Sequence, residues 1–264
     1  MHTDPQPPIR MGRGVRVAIV DSGVHPTHPH VRGVAGGVAI DRDGRLSDDY
    51  IDRIGHGTAV TAAIKEKAPL VECFAVRIFA DRLSAPASVL AAAIEWSANA
   101  GMHVVNLSLG TSNVAHTDMF RAVVQRATTA GTLIVAARQD GEQQWLPGIL
   151  PGVIGVEVDW DCPRHEVRLA DAVDSLTFRA SGFARPVPGV DPRRNLHGVS
   201  FAVANLTGLL CRQLEGRTDG RVEEAGALLQ ELQDRSSLET SEARLAVHTP
   251  SRGATPLAVG GAAG

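Results

Sequence analysis

The sequence predicts an α/β protein: a mainly parallel sheet flanked by helices in three layers. Three observations predict it. Short, nearly all-apolar runs recur along the chain. They alternate with stretches of helical apolar spacing. Glycine or polar clusters mark the junctions. Apolar runs that lack polar alternation suit strands buried on both faces, the condition of a parallel sheet covered by helices.

The elements follow in order. "VRVAIV" (15–20) is β-branched and apolar, a buried strand, and "LVECFAVRIF" (70–79) is another. "ASVLAAAIEWSANAG" (87–101) has helical spacing and ends on Gly101, a C-cap residue type. "MHVVNLSLG" (102–110) is strand-like, and "DMFRAVVQRATTAG" (118–131) is helical up to its glycine. "TLIVAA" (132–137) and "GVIGVEVD" (152–159) are strands, and helices are expected over 199–214 and 220–235. Residues 1–14, rich in Pro, Gly and Arg, are expected to form a flexible arm. Residues 15–235 form the folded domain. Residues 236–264, small, polar and Gly/Ala-rich, are expected to be a mostly disordered tail.

Composition narrows the function. A formal net charge of −3 gives no electrostatic case for nucleic acid or an anionic membrane. No apolar segment is long enough to span a bilayer. The start lacks the basic-then-apolar pattern of a signal peptide, so a cytoplasmic location is expected. Cys73, Cys162 and Cys211 have neither metal-site spacing nor a disulfide pattern, and are expected to be buried or idle thiols.

Three short segments carry chemistry. "VAIVDSG" delivers Asp21 at the carboxyl end of a buried strand. "GHGTAV" places His56 between two glycines at the start of an apparent helix. "HGVSFAVANLTG" places Ser200 at the start of another. Asp, His and Ser in that order on an α/β scaffold is one known order of the serine-hydrolase triad. Serine is a poor nucleophile until a base takes its proton. His56 would be that base and Asp21 would orient it. The glycines beside His56 would leave room for a substrate main chain. The amides at the Ser200 helix start would favour an oxyanion.

Together these segments resemble the subtilisin-type serine peptidases. "VAIVDSGVHPTHPHV" resembles that family's Asp segment, "GHGTAV" its His segment and "GVSFAVANLTG" its Ser segment. "VVNLSLG" resembles its substrate-binding strand and "LPGILPGVIGVEVD" its Pro-containing strand entry. The resemblance runs from residue 15 to about 212. It implies that Ser108, Leu109 and Gly110 form one side of the S1 pocket and pair with an extended substrate. It also implies a serine endopeptidase acting on a peptide or protein, with no cofactor. The small size suggests a dedicated role, such as processing one precursor peptide.

The chain departs from the family in places. Ala59 replaces a second His of the His segment. Val199 precedes Ser200, and no Pro follows it. "HGTAVTAAIKEKAP" leaves no room for the calcium loop of secreted members, so no metal is expected there. The stretch before Asp21 is shorter than a folding propeptide, as in compact intracellular members. A partner protein and the oligomeric state are left open. The largest departure is "AARQDG": Arg138 stands for a Gly and Gln139 for the Asn whose side chain donates to the oxyanion. Gln139, with the Ser200 backbone amide, is the candidate oxyanion hole; Arg138 could supply charge instead, or be strained if φ is positive there. The alternative function is a catalytically impaired pseudoprotease that binds peptides without cutting them. Of the remaining residues, His25, His28 and His30 are expected to be surface loop histidines, not metal ligands. Trp145 could line S1 or pack structurally. Asp41, Asp43, Asp48, Asp49 and Asp52 are expected to lie in a solvated loop, or to form a surface selecting basic substrates.

Overall fold

The computed structural model describes residues 9–170, 176–217 and 221–247. Its centre is a nine-stranded sheet. The strands are β1 (Arg16–Asp21), β2 (Gly36–Ile40), β3 (Leu46–Ser47), β4 (Glu72–Arg77), β5 (Val104–Leu107), β6 (Leu133–Ala137), β9 (Val153–Val158), β10 (Val167–Leu169) and β11 (Thr177–Ala180). Two further short strands, β7 (Gln139–Asp140) and β8 (Gln143–Gln144), form a separate hairpin. The sheet order is β10-β11-β9-β6-β5-β1-β4-β2-β3. The seven inner strands pair in parallel, and only the edge strands β3 and β10 are antiparallel.

Five helices cover the two faces: α1 (His56–Lys67), α2 (Ala87–Asn99), α3 (Thr117–Thr129), α4 (Val199–Gln213) and α5 (Val222–Val247). The alternation of β1 explains the layering. Val17 and Ile19 enter a core shared with α1, α4 and α5, while Ala18 and Val20 enter the core under α2 and α3. Every one of these four side chains is fully buried, which is why the strand reads as an unbroken apolar run.

The strands foreseen from 15–20, 70–79, 102–110, 132–137 and 152–159 are all present, trimmed at their ends. The strands that the apolar pattern does not reveal are marginal ones. β2 is rich in glycine, β3 is exposed, and β10 and β11 interleave arginines with apolar residues.

Described residues near each end carry structure that the sequence does not lead one to expect. Residues 1–8 lie outside the described residues, but residues 9–14 are tied down. The Met11 and Gly12 amides donate to Glu215 Oε2 at 2.5 and 2.9 Å, and Leu70 N donates to Met11 O at 2.9 Å. At the other end, α5 passes Ser236 and continues to Val247. Ser236 and Ser237 are absorbed by hydroxyl bonds to the carbonyls of Leu232 and Gln233. Residues 248–264 of the expected tail lie outside the described residues.

One contact sets how close the two site-bearing helices lie. A Cβ on Gly208 of α4 would stand 2.9 Å from Ile64 O and 3.0 Å from Lys67 Cβ, both on α1. Only glycine allows this approach. Gly208→Val should therefore cost about 1–3 kcal/mol through overpacking. At about 2–4 °C per kcal/mol for a domain of this size, the thermal midpoint should fall by several degrees. An unchanged midpoint would show that α1 and α4 separate freely.

Candidate active site

Asp21 ends β1, which lies between β4 and β5. The chain leaves β1 towards one side of the sheet and returns to its other side. That makes the crevice beyond the carboxyl ends of these strands the natural place for a ligand. Asp21 is wholly buried there. An unpaired buried carboxylate would cost several kcal/mol. Its oxygens are met by Ser22 N at 2.7 Å and by His56 Nδ1 at 2.8 and 3.0 Å.

His56 opens α1 because Gly55, at φ 94°, turns the chain in a conformation that a side chain would strain. The next glycine has a different role from the one expected. A Cβ on Gly57 would lie 2.2 Å from Gly23 O and 3.1 Å from Asp21 Cβ. Its missing side chain admits the Asp21 turn against the helix, not a substrate. Burial on its own pulls the His56 pKa down. The hydrogen bond from Asp21, its charge and the charge of Asp52 more than offset this, and the pKa is raised above its ordinary value.

Asp52 is the residue that the sequence reading placed wrongly. It is buried, not solvated like Asp41, Asp43 and Asp48. Its Oδ1 accepts from Ser22 Oγ (2.9 Å), Ile54 N (2.9 Å) and Gly55 N (2.8 Å). Its Oδ2 accepts from Thr58 N (2.9 Å) and Thr58 Oγ1 (2.6 Å). Ser22 Oγ in turn accepts from Gly57 N at 2.9 Å. Burial raises the Asp52 pKa, but these donors outweigh it and hold the carboxyl below its ordinary value. Asp52 thus ties the residue after Asp21 to both sides of His56. The spacing of a lone Asp four residues before His56, with Ser after Asp21, was the available signal.

Ser200 is the second residue of α4, after Gly198 at φ 139°. The first intrahelical bond is Phe201 N to Gly198 O, so the Ser200 amide precedes the helical ladder. The Ser200 hydroxyl donates to Ser108 O at 3.2 Å. Ser108 is fixed by Asn106, a fully buried amide whose Nδ2 donates to Ser108 Oγ and whose Oδ1 accepts from Thr207 Oγ1 on α4. Asp21, His56, Ser200, Ser108, Leu109 and Gly110 all line one cleft of about 420 Å³. Ala137, Asp140 and Trp145 line it too. Trp145 is therefore at the cleft, as one of its two readings required.

Gln139 is not brought into this group. "RQDGEQQ" folds into a tight hairpin, with Gln139 opposite Gln144 and Asp140 opposite Gln143. Gln139 Nε2 donates to Gly141 O at 2.7 Å, so the amide expected at the oxyanion is spent inside its own turn. Arg138 is not at positive φ, which removes the expected strain. It pairs with Glu157 at 3.4 Å, so its charge is met on the sheet side. The two-residue loop is Gly141-Glu142, with Gly141 at φ 58°, and Gly-X between polar pairs is a hairpin signal that could have been read.

No helix among the described residues is long and apolar enough to cross a membrane. All three cysteines are buried, and burial pushes the Cys73 thiol up to about 12.

The Subtilase family profile matches residues 12–154. Subtilisin Savinase of Lederbergia lenta is 36% identical over 222 residues, 78% of this chain and 75% of that protein. The chain belongs to the subtilase family. A thermostable alkaline protease of Halalkalibacterium halodurans is 33% identical over 158 residues, 55% of this chain. The chain spans 41% of that relative's length, well under two thirds. Solved structures share the fold. A lanthipeptide protease superposes with a TM-score of 0.65 at 17% identity, over 84% of this chain and 81% of that one. The prenylagaramide maturation protease PagA superposes with a TM-score of 0.58 at 23% identity, over 77% and 76%. The three-layer α/β fold of this chain is that of subtilisin-like enzymes.

Proposed function

We propose that the chain is a serine endopeptidase of the cytoplasm that processes a precursor peptide, with Asp21, His56 and Ser200 as its triad. One observation carries the reading: a buried Asp21 holds His56 Nδ1 at 2.8 Å at the foot of a cleft that Ser200 also lines. With the Nδ1–H of His56 donated to Asp21, the free Nε2 is the basic atom. For attack the Ser200 hydroxyl leaves Ser108 O, which it meets at 3.2 Å, and turns towards His56. Oγ then attacks the scissile carbonyl carbon as His56 takes its proton. His56 passes that proton to the leaving amine, the C–N bond breaks, and an acyl-enzyme remains on Ser200. Water, deprotonated by His56, attacks the ester; the bond from the acyl carbon to Ser200 Oγ breaks, His56 returns the proton to Oγ, and the acid leaves. The substrate's acyl side pairs along Ser108, Leu109 and Gly110 as an added strand.

The oxyanion is met by the Ser200 amide and the positive end of the α4 dipole. With Gln139 turned away, the hole lacks a side-chain donor of a kind usually worth about 10²–10³ in turnover. A slow, dedicated processor fits this better than a scavenging protease. Two structural neighbours are named as proteases of lanthipeptides and of prenylagaramide maturation, which supports a precursor peptide as substrate. The same Gln139 geometry favours a second reading, a pseudoprotease that binds peptides without cutting.

A fluorophosphonate probe separates the two. The enzyme reading expects covalent labelling that disappears in Ser200→Ala and persists in Ser112→Ala. No labelling of folded protein would leave the binding module standing. Turnover should also be insensitive to Gln139. Gln139→Ala should keep kcat within about threefold, whereas a loss of about 10²–10³ would show that the amide swings into the hole.

A further inference from the structure

A second cavity, of about 570 Å³, is lined by sequence neighbours of His56 and Ser200 and shares no lining residue with the cleft of Ser108–Gly110. Gly55, Thr58 and Ala59, which bracket His56, form one wall, and Asn195 and Leu196, just before Ser200, form another. If the acyl half of a substrate lies along Ser108–Gly110, the half that departs with the amine faces this cavity. The remaining wall carries one cation, Arg185, beside three imidazoles, His25, His28 and His30.

Arg185 makes no salt bridge among the described residues; its Nη1 donates only to His30 O, at 3.3 Å. Arg32 adds a second positive charge close to His30. His28 Nδ1 accepts from His30 N at 3.3 Å, which places the His28 proton on Nε2 as a donor. Asp52 lines the cavity too; its negative charge offsets part of this field, but five donors occupy its oxygens and no hydrogen bond joins it to Arg185. The histidine loop is rigid. His28 N, Val31 N, Arg32 N and Gly33 N all bond within it, and Arg32 holds a left-handed φ of 55° that costs strain. Three histidines suggest a metal, but no three His, Cys, Asp or Glu side chains among the described residues are placed to share one ion.

We infer that this cavity is a specificity site for an acidic side chain on the leaving side of the scissile bond, read by Arg185 with His28 and His30. The inference rests on the peptidase reading for which half of the peptide enters it. Its test does not need turnover. Ser200→Ala full-length chain is titrated with fluorescent octapeptides that differ only in carrying Asp, Ala or Lys at the first two leaving positions. The Asp peptide should bind about three- to fivefold more tightly than the Ala peptide, and the Lys peptide more weakly, as partly exposed charge pairs allow. Arg185→Glu should invert the order. Arg185→Gln, a milder change, and the double variant His28→Ala/His30→Ala should each narrow it. Equal affinities, no binding of any peptide, or an order unmoved by Arg185→Glu would overturn the inference. The three peptides are also given to the unsubstituted chain. The charge order in binding without any cleavage would retain the site and refute the peptidase. Cleavage with no charge order would do the reverse.

Discussion

Two carboxylates, Asp21 and Asp52, are buried near the carboxyl edge of the sheet, and each has to be met by donors or stay protonated. The donors that meet them come from the segments that hold the site together. Asp21 takes the Ser22 amide and the His56 ring. Asp52 takes Ser22, the turn into α1 and Thr58 inside it. Satisfying two charges therefore also fixes where the His56 ring stands. Removing either carboxylate would leave buried donors unmatched, at a cost of about 1–3 kcal/mol for each.

The second half of the site is positioned by packing. Gly208 lets α4 lie directly on α1, and Asn106 links the end of β5 to α4 through Thr207. Ser200 and the Ser108–Gly110 segment that follows β5 thus share their support with His56. The hairpin after β6 is built differently. It is a short, exposed, polar turn whose side-chain amide bonds to itself. The fixed groups are those to which the proposed mechanism gives the proton transfer, and the departure from the family falls on the loop proposed to shape the oxyanion hole.

Much of this was legible in the sequence, for identifiable reasons. The buried strands showed themselves because both faces are covered, leaving runs such as "VRVAIV" without polar interruption. Asp21, His56 and Ser200 showed themselves through glycines: Gly55 and Gly198 are forced by the turns that start two helices. Asp52 was hidden among four other aspartates, because composition cannot tell a buried acceptor from a solvated one. The edge strands were hidden because half-exposed strands carry arginine and glycine as readily as loops do. Gln139 was misplaced because alignment by residue type fixes position along the chain, while the Gly141-Glu142 turn fixes where the side chain points. The continuation of α5 past Ser236 was missed because small polar residues read as disorder unless their back-bonds are seen.

Two buried carboxylates, more than the general environment, set the basicity of His56. Burial alone would lower its pKa, and Asp21 with Asp52 raises it. An NMR titration of the His56 ring protons measures this directly. The midpoint should lie above 6.5 in the native chain. It should fall in Asp21→Asn, where the ring keeps a hydrogen-bond partner but loses the charge. A native midpoint at or below 6.5, or one that Asp21→Asn does not move, would contradict the control of His56 by these carboxylates.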